Sequence, residues 1–306
     1  MRKVYGFGET VLDIIFKDGS PTAARPGGSV LNSFVSLGRL GWEPCFISEY
    51  GMDDVGLLIE DFLIENGVDT SFVNRYTEGQ SAIALAFLDR DNNARYSFYK
   101  NFPARRLQDL PASIQEDDIV MFGSIYASSA AVRKSVLRFL NMASEAGALV
   151  LYDPNFREAH LSELEELRPR IIENLAYADI VRGSDEDFKL VFGMDDPEVV
   201  ADRFLKNTGM LIYTRNRKGV KVISGEKQVD VPTEKITPVS TIGAGDNFNA
   251  GIVHYLLSQG ILRKDLRQMN DAELEAMVSS GIQFASHVCM TYDNYISRDF
   301  SERLLS

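Results

Sequence analysis

The chain contains 306 residues, of which 32 are Lys or Arg, 44 are Asp or Glu, and 45% are hydrophobic. This is an ordinary globular composition and excludes general disorder. The formal charge of −12 at pH 7 opposes binding to a nucleic-acid backbone. No apolar run approaches the roughly 18 residues of a membrane span, and the first residues form no signal-peptide pattern. We therefore expect a cytoplasmic protein whose partners are small molecules, with no nucleic acid and no membrane among them.

Short apolar runs with β-branched and aromatic residues predict strands, and apolar residues at helical spacing predict helices. The first third of the chain alternates between the two and then contains a hairpin. The predicted elements are strands 4–7 and 11–16, helix 29–40, strand 44–48, helix 55–66, strand 71–75, and the hairpin strands 82–88 and 94–99.

The alternation returns after the hairpin and continues to the end of the chain. The predicted elements are strand 119–122, helix 130–146, strand 149–153, helix 161–176, strand 180–181, helices 186–192 and 199–207, strand 210–214, hairpin strands 219–224 and 227–231, and helices 245–259 and 271–290. Repeated strand–helix units predict an α/β fold, a doubly wound and mostly parallel sheet with helices on both faces. The early hairpin predicts a small β lid. No linker divides the chain, so we expect a single domain over 1–306.

The cysteines and histidines show no metal-ligand spacing. Cys45 and Cys289 match no CxxC pattern, and reduced, buried thiols are expected. His160, His254 and His287 are expected to be structural. No zinc site or disulfide framework is therefore predicted.

The most informative stretch is Gly-Ala-Gly-Asp at 243–246, a glycine-rich turn that opens a helix. Small residues let the backbone approach an anion, and the free N–H groups of the first helical turn can bind phosphate. Asp246 can be a first-turn residue or a base beside the phosphate, and one residue can do both. No Walker lysine follows the glycines, and the third glycine of a dinucleotide fingerprint would fall at Val11. A nicotinamide oxidoreductase therefore loses its main support.

Residues 240–253 resemble the C-terminal signature of the ribokinase family, the PfkB-type carbohydrate kinases. Residues 26–32, Pro-Gly-Gly-Ser-Val-Leu-Asn, with Leu-Gly-Arg-Leu-Gly at 37–41, are similar to the family's N-terminal di-glycine motif. Residues 51–56 and 67–71 also resemble stretches of the family and occur in the same order as in the family. The resemblance spans nearly the whole chain and implies a ribokinase-like fold whose lid is formed by about 12–26 and 80–102.

The resemblance implies ATP-dependent phosphorylation of a small hydroxylated substrate. Asp246 would be the general base, and the N–H groups from Gly243, Ala244 and Gly245 to Asp246 itself would form the anion hole. Arg157, in the element Asp-Pro-Asn-Phe-Arg, would reach the substrate or the γ-phosphate, because its guanidinium can bind two oxyanion atoms at once.

The same resemblance implies a sugar site and a nucleotide site. The substrate-binding residues would be Asp13, Gly27, Gly28 and Asn32, with Phe98 of the lid covering the substrate. The nucleotide-binding residues would be Ser184, Asp187, Thr214, Asn216, Gly219, Gly243, Gly245 and Gln283. Asp187 would also orient a hydrated Mg²⁺. Whether K⁺ activates is left open.

Three departures from the family pattern bear on the nucleotide side. Ser184 and Asp187 stand where the family commonly has Asn and Glu, and Asn216 stands where Gly is frequent. Ser240 and Ile242 replace Asp and Thr before the anion hole.

The opening Gly-Glu-x-x-x-Asp and the Asp-Pro-Asn-x-Arg element look most like fructokinases, so fructose is the predicted substrate. A ketosugar acid, ribose or a nucleoside is the alternative within the enzyme class. A sugar- or nucleotide-sensing relative that binds without turnover is the alternative outside it. An exposed face of the lid sheet would favour a homodimer through the lid.

Overall fold

The computed structural model describes residues 2–88, 94–204 and 209–306. Two sheets are formed by these residues, one of nine strands and one of four. The strands are β1 (Val4–Phe7), β2 (Val11–Lys17), β3 (Ser20–Gly27), β4 (Cys45–Gly51), β5 (Asp69–Tyr76), β6 (Gln80–Leu88), β7 (Ala94–Asn101), β8 (Ile119–Gly123), β9 (Leu149–Asp153), β10 (Ile180–Ser184), β11 (Met210–Thr214), β12 (Val220–Ser224) and β13 (Lys227–Val231). The helices are α1 (Ser29–Arg39), α2 (Asp54–Glu65), α3 (Ser124–Ala127), α4 (Arg133–Ala146), α5 (Leu164–Tyr177), α6 (Asp185–Phe192), α7 (Pro197–Phe204), α8 (Ala244–Ser258), α9 (Asp271–Cys289) and α10 (Arg298–Leu305).

The large sheet has the strand order β13-β12-β11-β10-β9-β8-β1-β4-β5. Its pairs from β5 to β11 are parallel, and β12 and β13 add an antiparallel hairpin at one edge. From the central β1 the chain first adds β4 and β5 on one side, and then returns to the other side of β1, where it adds β8 to β13 in order. This is a topological switch point, where open α/β sheets bind ligands at the carboxyl ends of their strands. The predicted doubly wound, mostly parallel sheet is confirmed.

The core lies in two layers, one on each face of the large sheet. The inner strands β8 and β9 are buried along their whole length, as expected for parallel strands covered on both sides. One layer packs α1, α8 and α9 around Phe34 and Phe284. The other packs α4 to α7 around Phe139 and Phe188. The two layers hold the carboxyl ends of the strands and the amino ends of the helices in fixed positions at one edge.

The small sheet has the order β3-β2-β6-β7, with β2 and β6 parallel. Asp13 of β2 pairs in register with Ala84 of β6, and Ala84 pairs with Phe98 of β7. Cross-strand neighbours project from the same face of a sheet, so Asp13 and Phe98 share one face of the lid.

Two polar clusters tie this lid sheet to the body. Ser81, at the start of β6, donates its hydroxyl and its N–H to the two oxygens of Asp53 at 2.7 and 2.8 Å. Where the chain leaves β7, Arg106 forms a buried ion pair with Glu49 of β4, and Tyr126 donates its hydroxyl to the same oxygen at 2.7 Å. The lid is therefore anchored at both ends of its β6–β7 hairpin.

The sequence pattern missed β3, α3 and α10. β3 contains Pro21 and Pro26, which argue against a strand but are tolerated at the edge of a sheet. The predicted helix 161–176 begins instead as a 3₁₀ turn at Glu158–Glu163 before α5. The end of the predicted helix 199–207 and the turn of the early hairpin lie outside the described residues.

The cysteines and histidines are packed as structural residues. Cys45 and Cys289 are both free and buried, as predicted. His254 accepts the Trp42 indole N–H at 3.0 Å, and His287 stacks on Phe300 with ring centres 4.2 Å apart. His160 contacts Glu163 at 2.9 Å. Among the residues that the structure describes, no helix combines the length and apolar character needed to cross a membrane.

Candidate active site

The amino ends of α1 and α8 meet at the carboxyl edge of the large sheet, and Asp246 lies between them. Ser29 donates its hydroxyl to one oxygen of Asp246 at 2.7 Å, and Asn32 donates its amide N–H to the other at 2.8 Å. Ser33 donates to the Asp246 carbonyl at 2.6 Å. The Asp246 carboxylate is therefore held in one orientation by side chains that are more than 200 residues away in sequence.

Asp246 is only 6% exposed. Burial raises the pKa of its carboxyl, while the hydrogen bonds from Asn32 and Ser29 and the positive charge of Arg157 act in the opposite direction. A carboxylate whose pKa is raised is a stronger base and can take a proton from a hydroxyl more readily than an exposed one. The environment of Asp246 thus fits a base as well as a first-turn residue of α8.

The residues predicted to bind the sugar surround the start of α1, where Asn32 contacts Asp246. A Cβ on Gly27 would lie 2.3 Å from an oxygen of Asp13, and a Cβ on Gly28, which has φ 140°, would lie 2.2 Å from the Glu9 carbonyl oxygen. A side chain at Gly27 would displace the Asp13 carboxylate, and one at Gly28 would clash with the backbone. The Oδ1 atom of Asn32 is buried and has no hydrogen-bond partner among the described residues. The loop therefore presents backbone and one unpaired acceptor beside Asp246.

Asp13 and Phe98 form the lid side of this region. Burial raises the pKa of Asp13 to about 7. Phe98 lies on the same sheet face, is 48% exposed, and stacks on Tyr96 with ring centres 5.8 Å apart. A half-exposed aromatic pair on the same sheet face as a partly buried carboxyl can cover a small polar ligand.

The glycine-rich turn before α8 has the geometry of an anion site. Gly243 has φ 77°, and a Cβ there would lie 2.8 Å from the Asn294 carbonyl oxygen. The Asn247 side chain donates to the carbonyl oxygens of Gly243 at 2.8 Å and Asn294 at 2.7 Å, which fixes the turn. The N–H of Ala244 lies 3.3 Å from the Thr241 carbonyl. The donors best placed for an anion are therefore the next first-turn N–H groups, those of Gly245 and Asp246.

A buried arginine that the sequence analysis missed lies directly below this turn. Arg182 of β10 is paired with Asp153 at 2.8 Å and donates to the Thr214 hydroxyl at 3.1 Å. A Cβ on Gly245 would lie 2.9 Å from its Nη1 atom. Electrostatic attraction to Asp153 and Asp187 outweighs burial and keeps the pKa of Arg182 above its ordinary value. The anion turn thus rests on a fixed positive charge.

Asn249 of α8 completes this group. It donates its amide N–H at 2.7 Å to the same Asp153 oxygen that accepts from Arg182. The available signal was a charged residue inside a buried strand, Ile-Val-Arg-Gly-Ser at 180–184, since parallel inner strands are normally apolar throughout.

Ser184 and Asp187 bind each other. The Ser184 hydroxyl and N–H both donate to one oxygen of Asp187, at 2.6 and 2.7 Å, in a capping box at the start of α6. The other oxygen accepts the Phe156 N–H at 2.7 Å. Asp187 therefore holds the helix start and the Asp-Pro-Asn-Phe-Arg loop, and its role toward Mg²⁺ stays a prediction.

The remaining predicted residues lie at different depths around the site. Arg157 is exposed, and its positive charge opposes the burial that raises the pKa values of Asp246 and Tyr96. Thr214 contacts Arg182, while Asn216 and Gly219 form the turn between β11 and β12. Gln283 is exposed on α9, and no contact joins it to the other site residues within the described part of the chain.

The site suits a nucleotide phosphate better than a metal held by protein alone. The turn at 243–246 offers N–H donors at the start of α8, and its glycines pack closely on Asn294 and on Arg182 beneath it. In residues 2–88, 94–204 and 209–306 no group of three His, Cys, Asp or Glu could hold a metal ion. This donor set fits an Mg²⁺ that is carried mainly by phosphates and water, with one protein carboxylate at most.

Comparison with known proteins shows the family of the chain. Residues 1–297 match the model of the pfkB family of carbohydrate kinases. Fructokinase-1 of Oryza sativa subsp. japonica is 30% identical over 287 residues, covering 88% of this chain and 87% of that protein. Fructokinase-1 of Zea mays is 30% identical over 301 residues, covering 92% of this chain and 89% of that protein.

The solved structures that resemble this fold include two sugar kinases. Fructokinase of Vibrio cholerae O395, with fructose, ADP and calcium bound, superposes with a TM-score of 0.86 at 22% identity, covering 100% of this chain and 99% of that one. Aminoimidazole riboside kinase of Salmonella enterica superposes with a TM-score of 0.83 at 22% identity, and the match covers 100% of both chains. The chain belongs to the pfkB family of carbohydrate kinases and is a phosphotransferase that uses a sugar hydroxyl as its acceptor.

Proposed function

We propose that the protein transfers the γ-phosphoryl group of ATP to a hydroxyl of fructose. The observation that carries this proposal is the pairing of Asn32 with Asp246: the Asn32 amide N–H orients the buried carboxylate, while its buried Oδ1 has no partner among the described residues. A sugar hydroxyl that donates to this oxygen would lie next to the base. The fructokinases of rice and maize among the relatives support fructose in particular.

The sugar would bind between the lid and the start of α1. Asp13 accepts hydrogen bonds from two sugar hydroxyls, while Gly27 leaves room for the Asp13 carboxylate, and Gly28 lets the loop pack on the Glu9 backbone before α1. Phe98 covers the ring from the same lid face as Asp13. Closure of the lid over the sugar excludes water that would otherwise accept the phosphoryl group.

Asp246 would take the proton of the attacking hydroxyl. As the new O–P bond forms, this proton moves to the carboxylate, and the bond to the leaving oxygen of ADP breaks. ATP, bound with Mg²⁺, supplies the phosphoryl group. The N–H groups of Gly245 and Asp246 donate to the oxygens of the group in transfer, and Arg182 beneath them compensates the added negative charge.

The nucleotide would extend from this turn along the carboxyl ends of β10 and β11. Thr214, Asn216 and Gly219 are the residues proposed to line it, and Gln283 is the proposed contact for adenine. We keep Ser184 and Asp187 as the proposed contacts for hydrated Mg²⁺, acting through water because protein donors already engage both Asp187 oxygens. A homodimer through the lid and a cytoplasmic location also belong to this proposal.

A ketosugar acid is the second candidate substrate. The observation in its favour is Arg157, an exposed cation whose charge acts on both Asp246 and the lid residue Tyr96. A guanidinium at that place could bind the carboxylate of an acid sugar.

The test is a coupled ADP-release assay with ATP and Mg²⁺ over fructose, ribose, a 2-keto-3-deoxy sugar acid and a nucleoside. Phosphorus NMR then identifies the phosphorylated product. The proposal expects fructose to give the highest kcat/KM. Arg157→Met separates the two candidates. If Arg157 binds the carboxylate of an acid sugar, the variant should lose any preference for that sugar, while its KM for fructose should change less. Preference of the native enzyme for another compound of the panel would contradict the assignment of fructose.

A further inference from the structure

One arginine of the lid reaches across to the body beside the anion turn. Arg25, on β3, donates its Nη1 to the carbonyl oxygen of Tyr292 and to the Asp293 carboxylate, the latter at 2.7 Å. The two partners lie in the segment 290–297 that connects α9 to α10. The ion pair is partly exposed, with side-chain exposures of 28% for Arg25 and 47% for Asp293. A pair of this kind contributes little to global stability.

The other side of the same segment supports the anion turn. The Asn294 carbonyl oxygen accepts the Asn247 amide N–H at 2.7 Å, and the Asn294 backbone fills the space where a Cβ of Gly243 would lie. Asn247 in turn holds the Gly243 carbonyl at 2.8 Å. A displacement of this segment therefore acts directly on the residue that shapes the turn.

Arg25 is also adjacent to the proposed sugar contacts. It pairs in register with Asp13 across β2 and β3, and it precedes Gly27 by two residues on the same strand. A sugar held by Asp13 and the Gly27 backbone would fix the position of β3, and with it the origin of the Arg25 side chain.

We propose that Arg25 is a positioning residue that couples sugar binding at the lid to phosphate binding at the 243–246 turn. The coupling runs from Asp13 and Gly27 through Arg25 to the 290–297 segment, and from Asn294 to Gly243 and Asn247. This inference rests on the proposed positions of the sugar and the phosphate. Coupling between two ligands is reciprocal, and its usual size is about 5–150-fold in affinity.

The test measures the affinity of the ATP analogue AMP-PNP by calorimetry, with and without saturating fructose. In the native enzyme fructose should tighten AMP-PNP binding by at least about fivefold. In Arg25→Met the ratio of the AMP-PNP affinities with and without fructose should be close to one, while each ligand alone binds as in the native enzyme. Asp293→Ala should reduce the ratio as well, because it removes one of the two acceptors. Arg95→Met is the matched control, since Arg95 is an exposed lid arginine whose guanidinium lies over Phe87 of the neighbouring strand at 5.4 Å.

Two results for Arg25→Met would overturn the inference while leaving the kinase proposal intact. One is an unchanged ratio in Arg25→Met. The other is loss of binding for either ligand alone, which would show that Arg25 only maintains the structure. If the native enzyme turns over fructose but shows no coupling, the inference also fails by itself. If no sugar of the panel is phosphorylated at all, both proposals fall together.

Discussion

Asp13 creates a conflict between stability and sugar binding that can be measured. Its carboxyl is partly buried in the lid, and this burial raises the pKa from 3.8 to about 7. The folded chain therefore binds this proton up to a higher pH than the unfolded chain does. Stability contributed by the protonated carboxyl is complete below about pH 4 and is lost as the pH rises to about 7.

The size of this effect follows from the two pKa values. At about 1.4 kcal/mol for each pKa unit, the difference between 3.8 and about 7 corresponds to about 4 kcal/mol. Asp13→Asn removes the ionisation and keeps the shape. We expect the variant to be more stable than the native chain, with a gap that grows by about 1.4 kcal/mol per pH unit between pH 5 and 7 and stays constant above that.

Urea unfolding at several pH values between 5 and 8 measures this gap. Asp18→Asn is the control, because it changes the same group on the exposed turn between β2 and β3. The same Asp13→Asn variant should bind fructose more weakly, since the neutral amide accepts hydrogen bonds from sugar hydroxyls less strongly than a carboxylate does. Parallel stability curves for the native chain and Asp13→Asn would refute the reasoning.

Three further changes test the packing around the site. Gly27→Ala places a Cβ 2.3 Å from an Asp13 oxygen and should raise the KM for fructose about 10–100-fold, so an unchanged KM in steady-state assays would count against this sugar site. Glu49→Gln leaves Arg106 buried without its counter-charge and should cost about 3–5 kcal/mol in urea unfolding, whereas a cost below about 1 kcal/mol would show that the pair is not buried in solution. Arg182→Met should lower kcat about 100-fold with little change in the KM for fructose, and a native kcat would show that its charge does not act on the transferred group.

The sequence predicted the architecture well because the large sheet depends on local patterns. Strands such as β9 and β11 are continuous apolar runs bounded by polar residues, so their bounds agree with the prediction. The edge strand β3 was not predicted because its prolines contradict strand propensity. Its pairing with β2 makes it a strand. In the same way, the capping box of α6 gives Ser184 and Asp187 a structural role that spacing alone did not reveal.

The parts of the site that consist of consecutive residues could be predicted from the sequence. The glycines at 27–28 and 243–245 carry their function in the backbone and are visible as motifs. The group of Arg182, Asp153 and Asn249 is not, because its members come from β10, β9 and α8 and meet only in the folded chain. The contact of Arg25 with Asp293, 268 residues apart, is hidden for the same reason.

The central claim is that Asp246 deprotonates the sugar hydroxyl, and Asp246→Asn tests it most directly. The asparagine keeps an oxygen for one of the donors on α1, Ser29 or Asn32, but it cannot take a proton. The measurement is the single-turnover rate of sugar-phosphate formation, together with the AMP-PNP affinity of the same variant. We predict a rate about 10²–10⁴-fold below that of the native enzyme with unchanged AMP-PNP binding. A rate within about tenfold of the native value would contradict the assignment of Asp246 as the base.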